Sequence, residues 1–234
     1  MKYGIASYHR PACKTVETLL NAGVDREDII VSVQTEEDFE EYSKTLKGIL
    51  FYEPKDCAAG NRNTILDLCK EPIWLLDDDI SSFGWYSGKG FKADTPKCLE
   101  MMDELARLAK KNNVSILGMA PTSNAIIAKN RPKYTHDCLL QGSAIFVNDL
   151  SVRFNDKWKM VEDYELSLRV MELGGKIIRA NYITANKPQN GTNAGGLHER
   201  YANGELKYWI KTLSKTYPQF KPNKEMTGGM IRRG

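Results

Sequence analysis

The chain has 234 residues, 41% of them hydrophobic and 27% charged, with a formal net charge of +3. That length suits one α/β domain with a short appended lobe and a core of its own. No apolar run approaches the roughly 18 residues a membrane-spanning helix needs, so a membrane partner is not expected.

Read in chain order, Tyr3 to Ser7 is the first strand. Tyr8-His9-Arg10-Pro11 is a turn, with Pro11 suited to the first position of a helix that runs to about Asn21. Val16, Leu19 and Leu20 mark its apolar face, and Gly23 ends it. Asp28 to Val33 is the second strand, Glu36 to Leu46 an acidic helix, and Gly48 to Tyr52 the third strand. Gly60 to Cys69 is the third helix. Pro72-Ile73-Trp74-Leu75-Leu76 is a short apolar run bounded by Pro and by acid, a buried fourth strand. Four strands alternating with three helices predict a parallel, helix-covered sheet.

The second half changes character. Pro96 to Lys111 is an amphipathic helix carrying Leu99, Met102, Leu105 and Leu108. Val114 to Met119 and Gln141 to Val147 are strands. Val161 to Leu173 is a helix stopped by Gly174-Gly175, and Lys176 to Thr184 is a strand. Asn190 to Leu197 is a Gly/Asn-rich loop. From Glu205 a short helix carries Leu206, Trp209, Ile210 and Leu213, followed by a Pro-, Lys- and Gly-rich tail.

Asp77-Asp78-Asp79 close the fourth strand. Three adjacent carboxylates repel one another, and ligands bind at the C-terminal strand ends of open α/β sheets. A divalent cation bridging to a phosphate would compensate them. Continued as a strand, Asp77 and Asp79 would point to one side and Asp78 to the other. Acidic clusters after strands are also common as solvated turns, but here Ile80 and Phe83 follow, so the acids lie between apolar residues. No GxxxxGK[ST] loop occurs and no GxGxxG follows the first strand, which disfavours a P-loop NTPase and a conventional dinucleotide site.

Five cysteines (Cys13, Cys57, Cys69, Cys98, Cys138) are scattered without a CxxC pair. That usage predicts reduced thiols and a cytoplasmic setting. Asn113-Val114-Ser115 and Asn190-Gly191-Thr192 match the glycosylation pattern by chance. Residues 1–150 carry 18 basic and 22 acidic side chains, a balance of −4, and residues 151–234 carry 15 and 8, a balance of +7. The asymmetry suits a polyanionic partner near the C-terminal part, or a plain solvated surface.

The ordered set resembles the GT-A fold glycosyltransferases, which use sugar nucleotides. Ser7-Tyr8-His9-Arg10 is similar to the nucleotide-binding end of their first strand. Gly60-Asn61-Arg62-Asn63 is similar to the segment opening the helix before the metal strand. Asp77-Asp78-Asp79 resembles the DxD motif, Glu162-Asp163 the acidic pair heading a helix near the acceptor, and His198 an additional metal ligand. The words NRNTILDLC, WLLDDDI and VEDYELSLRV resemble the TET-associated glycosyltransferases. That group is found in phages and other lineages and is linked to glycosylation of hydroxymethylated pyrimidines in DNA.

The resemblance implies a single GT-A domain over residues 1–200. Residues 1–95 would be its nucleotide-sugar half and 96–200 its acceptor half, with a basic, aromatic-containing extension at 201–234. The implied cofactors are a divalent ion (Mn2+ or Mg2+) and a nucleotide-sugar donor, a UDP-sugar being expected. Asp79 and His198 would bind the metal. Ser7, Arg10, Arg62, Asp77 and Asp78 would contact the donor, Arg62 meeting phosphate or base. In an inverting transfer Asp163, with Glu162 as its rival, would be the base, although acids in a first helical turn also simply favour the dipole. The loop Gly191 to Gly196 would close over the donor. Trp85-Tyr86 would stack on a flipped base, and Lys207, Lys211, Lys215, Lys221, Lys224, Arg232 and Arg233 would meet DNA phosphates. A glycan or lipid acceptor, or a binding module without turnover, are the alternatives, and the oligomeric state is left open.

Overall fold

The computed structural model describes residues 1–188 and 195–231. Strand β1 (Lys2–Ser7) runs into a turn before helix α1 (Lys14–Asn21). The helix begins beyond the predicted Pro11. Cys13 takes φ 22°, and its N–H closes a turn on the Arg10 carbonyl at 2.9 Å, which leaves Pro11 inside that turn. Gly23 ends the helix as expected, with φ +89° and its N–H on the Leu20 carbonyl.

Strand β2 (Ile29–Val33), helix α2 (Glu36–Leu46), strand β3 (Leu50–Tyr52), helix α3 (Ala58–Leu68) and strand β4 (Ile73–Asp77) complete the first half. The Thr35 hydroxyl caps α2 by accepting from Asp38 N, and the acids of its first turn suit the helix dipole. Gly4 lets α3 settle onto β1, because a Cβ there would lie 2.3 Å from Ile65 Cγ2.

Strands β5 (Ser82–Tyr86) and β6 (Phe91–Ala93) precede helix α4 (Thr95–Lys111). Strand β7 (Ile116–Ala120), helix α5 (Ala125–Lys129) and strands β8 (Tyr134–His136) and β9 (Ala144–Val147) follow. Helix α6 (Glu162–Glu172) and strand β10 (Ile177–Asn186) come next. Helices α7 (His198–Ala202) and α8 (Glu205–Thr216) and strands β11 (Phe220–Pro222) and β12 (Gly229–Ile231) close the chain.

Among the described residues one sheet runs in the order β3-β2-β1-β4-β9-β7-β10-β5-β6, with β8 also on β10. The first four strands are parallel, as the βα alternation predicts. The second half is mixed: β9 lies antiparallel to β4 and β7, while β7 and β10 are parallel. Helices cover both faces, and side-chain alternation sorts the core. Trp74, Leu76 and Phe146 pack with α1, α2 and α4, whereas Ile73, Leu75 and Ile145 pack with α3 and α6. A third cluster joins Trp158 and Leu168 to Ile210, Leu213, Tyr217 and Phe220, so residues after 200 pack onto the outer side of α6. No helix among the described residues is long and apolar enough to cross a membrane.

Strand β4 ends at Asp77, with Asp78 and Asp79 in the turn beyond it. The alternation expected of three strand residues therefore stops after the first. The ends of β1, β2, β4, β7 and β10 and the start of β9 meet along one edge of the sheet, where a cleft opens.

Candidate active site

The three aspartates are compensated by the chain's own cations. Asp77 accepts from Arg62 Nη2 at 2.9 Å and from Lys187 Nζ at 2.5 Å. Burial works against its charge, but Lys187 and Arg62 outweigh burial and hold the carboxyl down at about 2. Asp78, 4% exposed, accepts from Ser7 Oγ and Arg10 Nη1, both at 2.6 Å. Burial still pushes its carboxyl upward. Asp79 Oδ2 meets Arg10 Nη1 at 3.2 Å. Burial, then the charge of Asp77, raises this carboxyl too. Asp79 Oδ1 is buried with no hydrogen-bond partner. The repulsion inferred from sequence is real, and Arg10, Arg62 and Lys187 answer most of it.

Arg62 is expected near a helix start, and α3 begins four residues before it. It lies inside α3, 5% exposed, beside the Phe154 ring. Its guanidinium donates to Asp77, to Glu162 Oε1 at 2.6 Å and to the Gly142 carbonyl at 3.2 Å. It thereby ties the strand-end acids to the acidic pair of α6.

Val161 precedes that pair in the left-handed region, φ 56° and ψ 25°. A β-branched residue there costs on the order of 1–3 kcal/mol and persists only where its surroundings enforce it. His9 and Cys13, flanking Arg10, also have positive φ. Glu162 is buried against Arg62. Half-buried Asp163 accepts from Gly142 N and Tyr164 N, each at 2.7 Å. Burial and then the charge of Glu162 push its carboxyl up to about 7, against the pull of Arg62. A carboxyl titrating near neutrality is suited to taking and giving a proton.

These groups line a single cleft of about 1130 Å3. The structure brings Ser7, Arg10, Arg62, Asp77, Asp78, Asp79, Glu162, Asp163 and His198 all to its wall. His198 stands at the start of α7, half-buried. Ahead of it, Gly195 and Gly196 lie on Arg10; a Cβ on Gly195 would fall 2.5 Å from the His9 carbonyl oxygen. Residues 191–194 of the predicted closing loop lie outside the described residues, as do Asn190, Arg232 and Arg233.

Several lining residues were not anticipated. Lys187 lies beyond Thr184, where the sequence predicts the strand to end. Run to Asn186, it delivers a lysine at a C-terminal strand end beside Asp77, and that position is the signal. Gly142 follows a strand-entry Gln that the sequence places inside the strand, and Tyr201 belongs to the short helix α7. The Tyr201 phenol is pushed upward by burial and then by Asp163 and Glu162.

Trp85 and Tyr86 are not among the cleft-lining residues. They lie on β5, where Lys97 sits over the Trp85 ring at 5.1 Å. Trp209 packs on Trp158 at 5.7 Å, the core-anchor role. Lys207, Lys211 and Lys215 are exposed on α8, and Lys221 and Lys224 are exposed beyond it. Among the described residues no three His, Cys, Asp or Glu side chains stand close enough to hold a metal ion unaided.

No curated protein matches the sequence. Among solved structures, the mannosyltransferase PcManGT from Pyrobaculum calidifontis in complex with GDP-Man and Mn2+ superposes with a TM-score of 0.59. It is 11% identical, over 94% of this chain and 64% of that one. S. aureus TarS 1-349 in complex with UDP gives a TM-score of 0.47 and 14% identity, over 92% of this chain and 66% of that one. The chain thus spans about two thirds of the length of these structures. The first likeness shows a shared GT-A type architecture. The profile of one family, TET-associated glycosyltransferase, matches residues 10–196. With most of its length matched and its fold of the GT-A type, the chain belongs to the TET-associated glycosyltransferase family.

Proposed function

We propose that this chain moves a sugar from a nucleotide-sugar donor to the hydroxyl of a hydroxymethylated pyrimidine in DNA. The observation that carries the reading is the shared cleft, in which strand-end acids and a carboxyl raised to about 7 face one space in a member of this family. The basic balance of +7 after residue 150 and the exposed lysines of α8 suit a polyanionic acceptor. Five buried cysteines, scattered without a CxxC pair, suit a reducing, cytoplasmic setting.

In this reading the donor lies across the ends of β1, β2 and β4. Ser7, Asn61 and Arg10 shape that end of the cleft, and Lys187 places a cation beside it. Asp77, held charged by Arg62 and Lys187, accepts from donor hydroxyls. Asp163 takes the proton from the acceptor hydroxyl as the new bond to the anomeric carbon forms. The anomeric carbon's bond to the diphosphate oxygen breaks, and the electron pair leaves with the nucleoside diphosphate. This is inverting transfer, with Glu162 keeping Asp163 basic through its charge.

A divalent cation fits the donor set. Asp79 Oδ1 is an acceptor-only oxygen, buried with no hydrogen-bond partner, and a cation is what such an atom lacks. Asp79 and His198 would hold it, with donor phosphates completing the set. When bound, it would supply charge to neutralise the departing diphosphate.

A panel of sugar nucleotides tests the reading, with nucleotide release followed with and without Mn2+ and hydroxymethylated DNA. Release that needs one donor and is stimulated by that DNA supports it. Stimulation by a glycan or lipid acceptor instead moves the acceptor away from DNA and leaves the transferase intact.

A further inference from the structure

Strand β7 ends at Ala120 in the cleft, and Pro121, Thr122 and Ser123 continue its wall. The chain then leaves the cleft as α5, which buries none of its five residues. Ile126 is 73% exposed and Ile127 37%. A lone exposed aliphatic residue is ordinary. This pair, however, is held out on a braced backbone. The Asn124 side chain accepts from Ile126 N at 2.9 Å, and Asn130 Nδ2 donates to the Ile126 carbonyl at 3.0 Å. On the far side, Asn181 Nδ2 of β10 donates to the Pro132 carbonyl at 2.8 Å and to Thr135 Oγ1 at 2.7 Å.

The same segment is basic. Residues 121–136 contain Lys129, Arg131 and Lys133 and no Asp or Glu. Lys133 Nζ lies over the rings of Tyr134 and Tyr182, at 5.4 and 5.0 Å. Two aliphatic side chains flanked by cations, at the rim of a cleft, match the chemistry of a nucleic-acid wedge. The aliphatic chain enters a base step while the cations meet phosphates. A membrane surface fits less well, because a five-residue helix offers too little apolar face to lie in a bilayer.

The size of the cleft makes a wedge useful. Asp163 is half-buried in a cavity of about 1130 Å3, which admits a nucleotide and a donor but not a duplex. The target nucleotide must leave the stack, and something must hold the gap open. We infer that α5 enters the acceptor duplex, with Ile126 wedged at the base step beside the extruded nucleotide and Lys129 and Arg131 on the flanking phosphates. This rests on the DNA reading above and adds to it the element that reads duplex form.

The test compares wild type and Ile126→Ala on one hydroxymethylated sequence, offered as a duplex and as a single strand, in the full chain. Ile126 is exposed, so the variant folds normally. The expected result is a loss of roughly tenfold in transfer to the duplex, equivalent to about 1.4 kcal/mol, with single-strand transfer within about twofold of wild type. A 2-aminopurine beside the target should brighten with wild type and stay dim with Ile126→Ala. Lys129→Ala should lower the salt slope of duplex binding by about one. Equal losses on both substrates, or none, overturn the wedge. If wild type modifies neither DNA form, the DNA reading itself fails; if wild type is active and Ile126→Ala indifferent, only the wedge fails. Cosedimentation with anionic vesicles that Ile126→Asp abolishes, while duplex transfer is intact, would reassign α5 to a membrane.

Discussion

Arg62→Met should be the most destabilising single change at the site. The guanidinium is 5% exposed and joins Glu162 at 2.6 Å to Asp77 at 2.9 Å. Methionine fills most of the space but leaves Glu162, itself 6% exposed, as a buried charge facing none of its former partner. Asp77 keeps Lys187, so the cost falls mainly on Glu162. Removing one partner of a buried pair costs about 3–5 kcal/mol. At about 2–4 °C per kcal/mol for a domain of this size, the melting temperature should fall by roughly 6–20 °C. Adding Glu162→Gln removes the stranded charge, so the double variant should recover by about 1–3 kcal/mol relative to additivity. Thermal denaturation of the four proteins at pH 7 measures both quantities. A loss under about 3 °C, or simple additivity, would refute the assignment of Arg62 as the tie between the two acidic groups.

Asp163→Asn should lower turnover by roughly 100-fold or more with donor affinity nearly unchanged, as for a lost base; a harmless Asp163→Asn with a crippling Glu162→Gln would reverse the roles. Wild-type turnover should rise with pH and level off above about 7, because Asp163 must be deprotonated to act; a flat profile from pH 5 to 9 contradicts this. Stability should respond in two windows. Asp163 is raised above its unfolded value, so it favours the fold at low pH and this contribution is lost as pH rises from about 4 to about 7. Asp77 is depressed to about 2, so its contribution is present above about 4 and lost as pH falls toward 2; urea midpoints across pH 2–8 report both, and Asp163→Asn should flatten only the upper window. Asp79→Asn should abolish Mn2+-dependent donor binding without lowering the metal-free melting temperature, since it removes a raised, partly unpartnered carboxylate; unchanged binding by calorimetry would release Asp79 from the metal set.

The first half of the fold was legible because each strand is a short apolar run and each helix has its own face and stop. Glu36 to Leu46 is recovered to the residue, helped by the Thr35 cap and the acids behind it. The second half was less legible. Strands β5, β6 and β8 are three to five residues long and gain their pairing from β10 or from one another, partners that local periodicity does not reveal. At the site, the acids could be read because carboxylates ending an apolar run are conspicuous. Their counter-ions could not: Arg10, Arg62 and Lys187 lie at least 68, 15 and 110 positions from the acids they hold, and only the folded sheet brings them together. The lysines of α8 are visible in the sequence as charge, whereas nothing in the sequence marks Ile126 as exposed.

The most direct test of the central claim is mass spectrometry of nucleosides from hydroxymethylated duplex DNA treated with the protein, Mn2+ and a panel of sugar nucleotides. A sugar-mass gain is expected on the hydroxymethylpyrimidine alone, absent with unmodified DNA and strongly reduced with Asp163→Asn. A protein that hydrolyses or transfers from a donor, yet adds no sugar to that DNA while modifying a glycan or lipid, would contradict it.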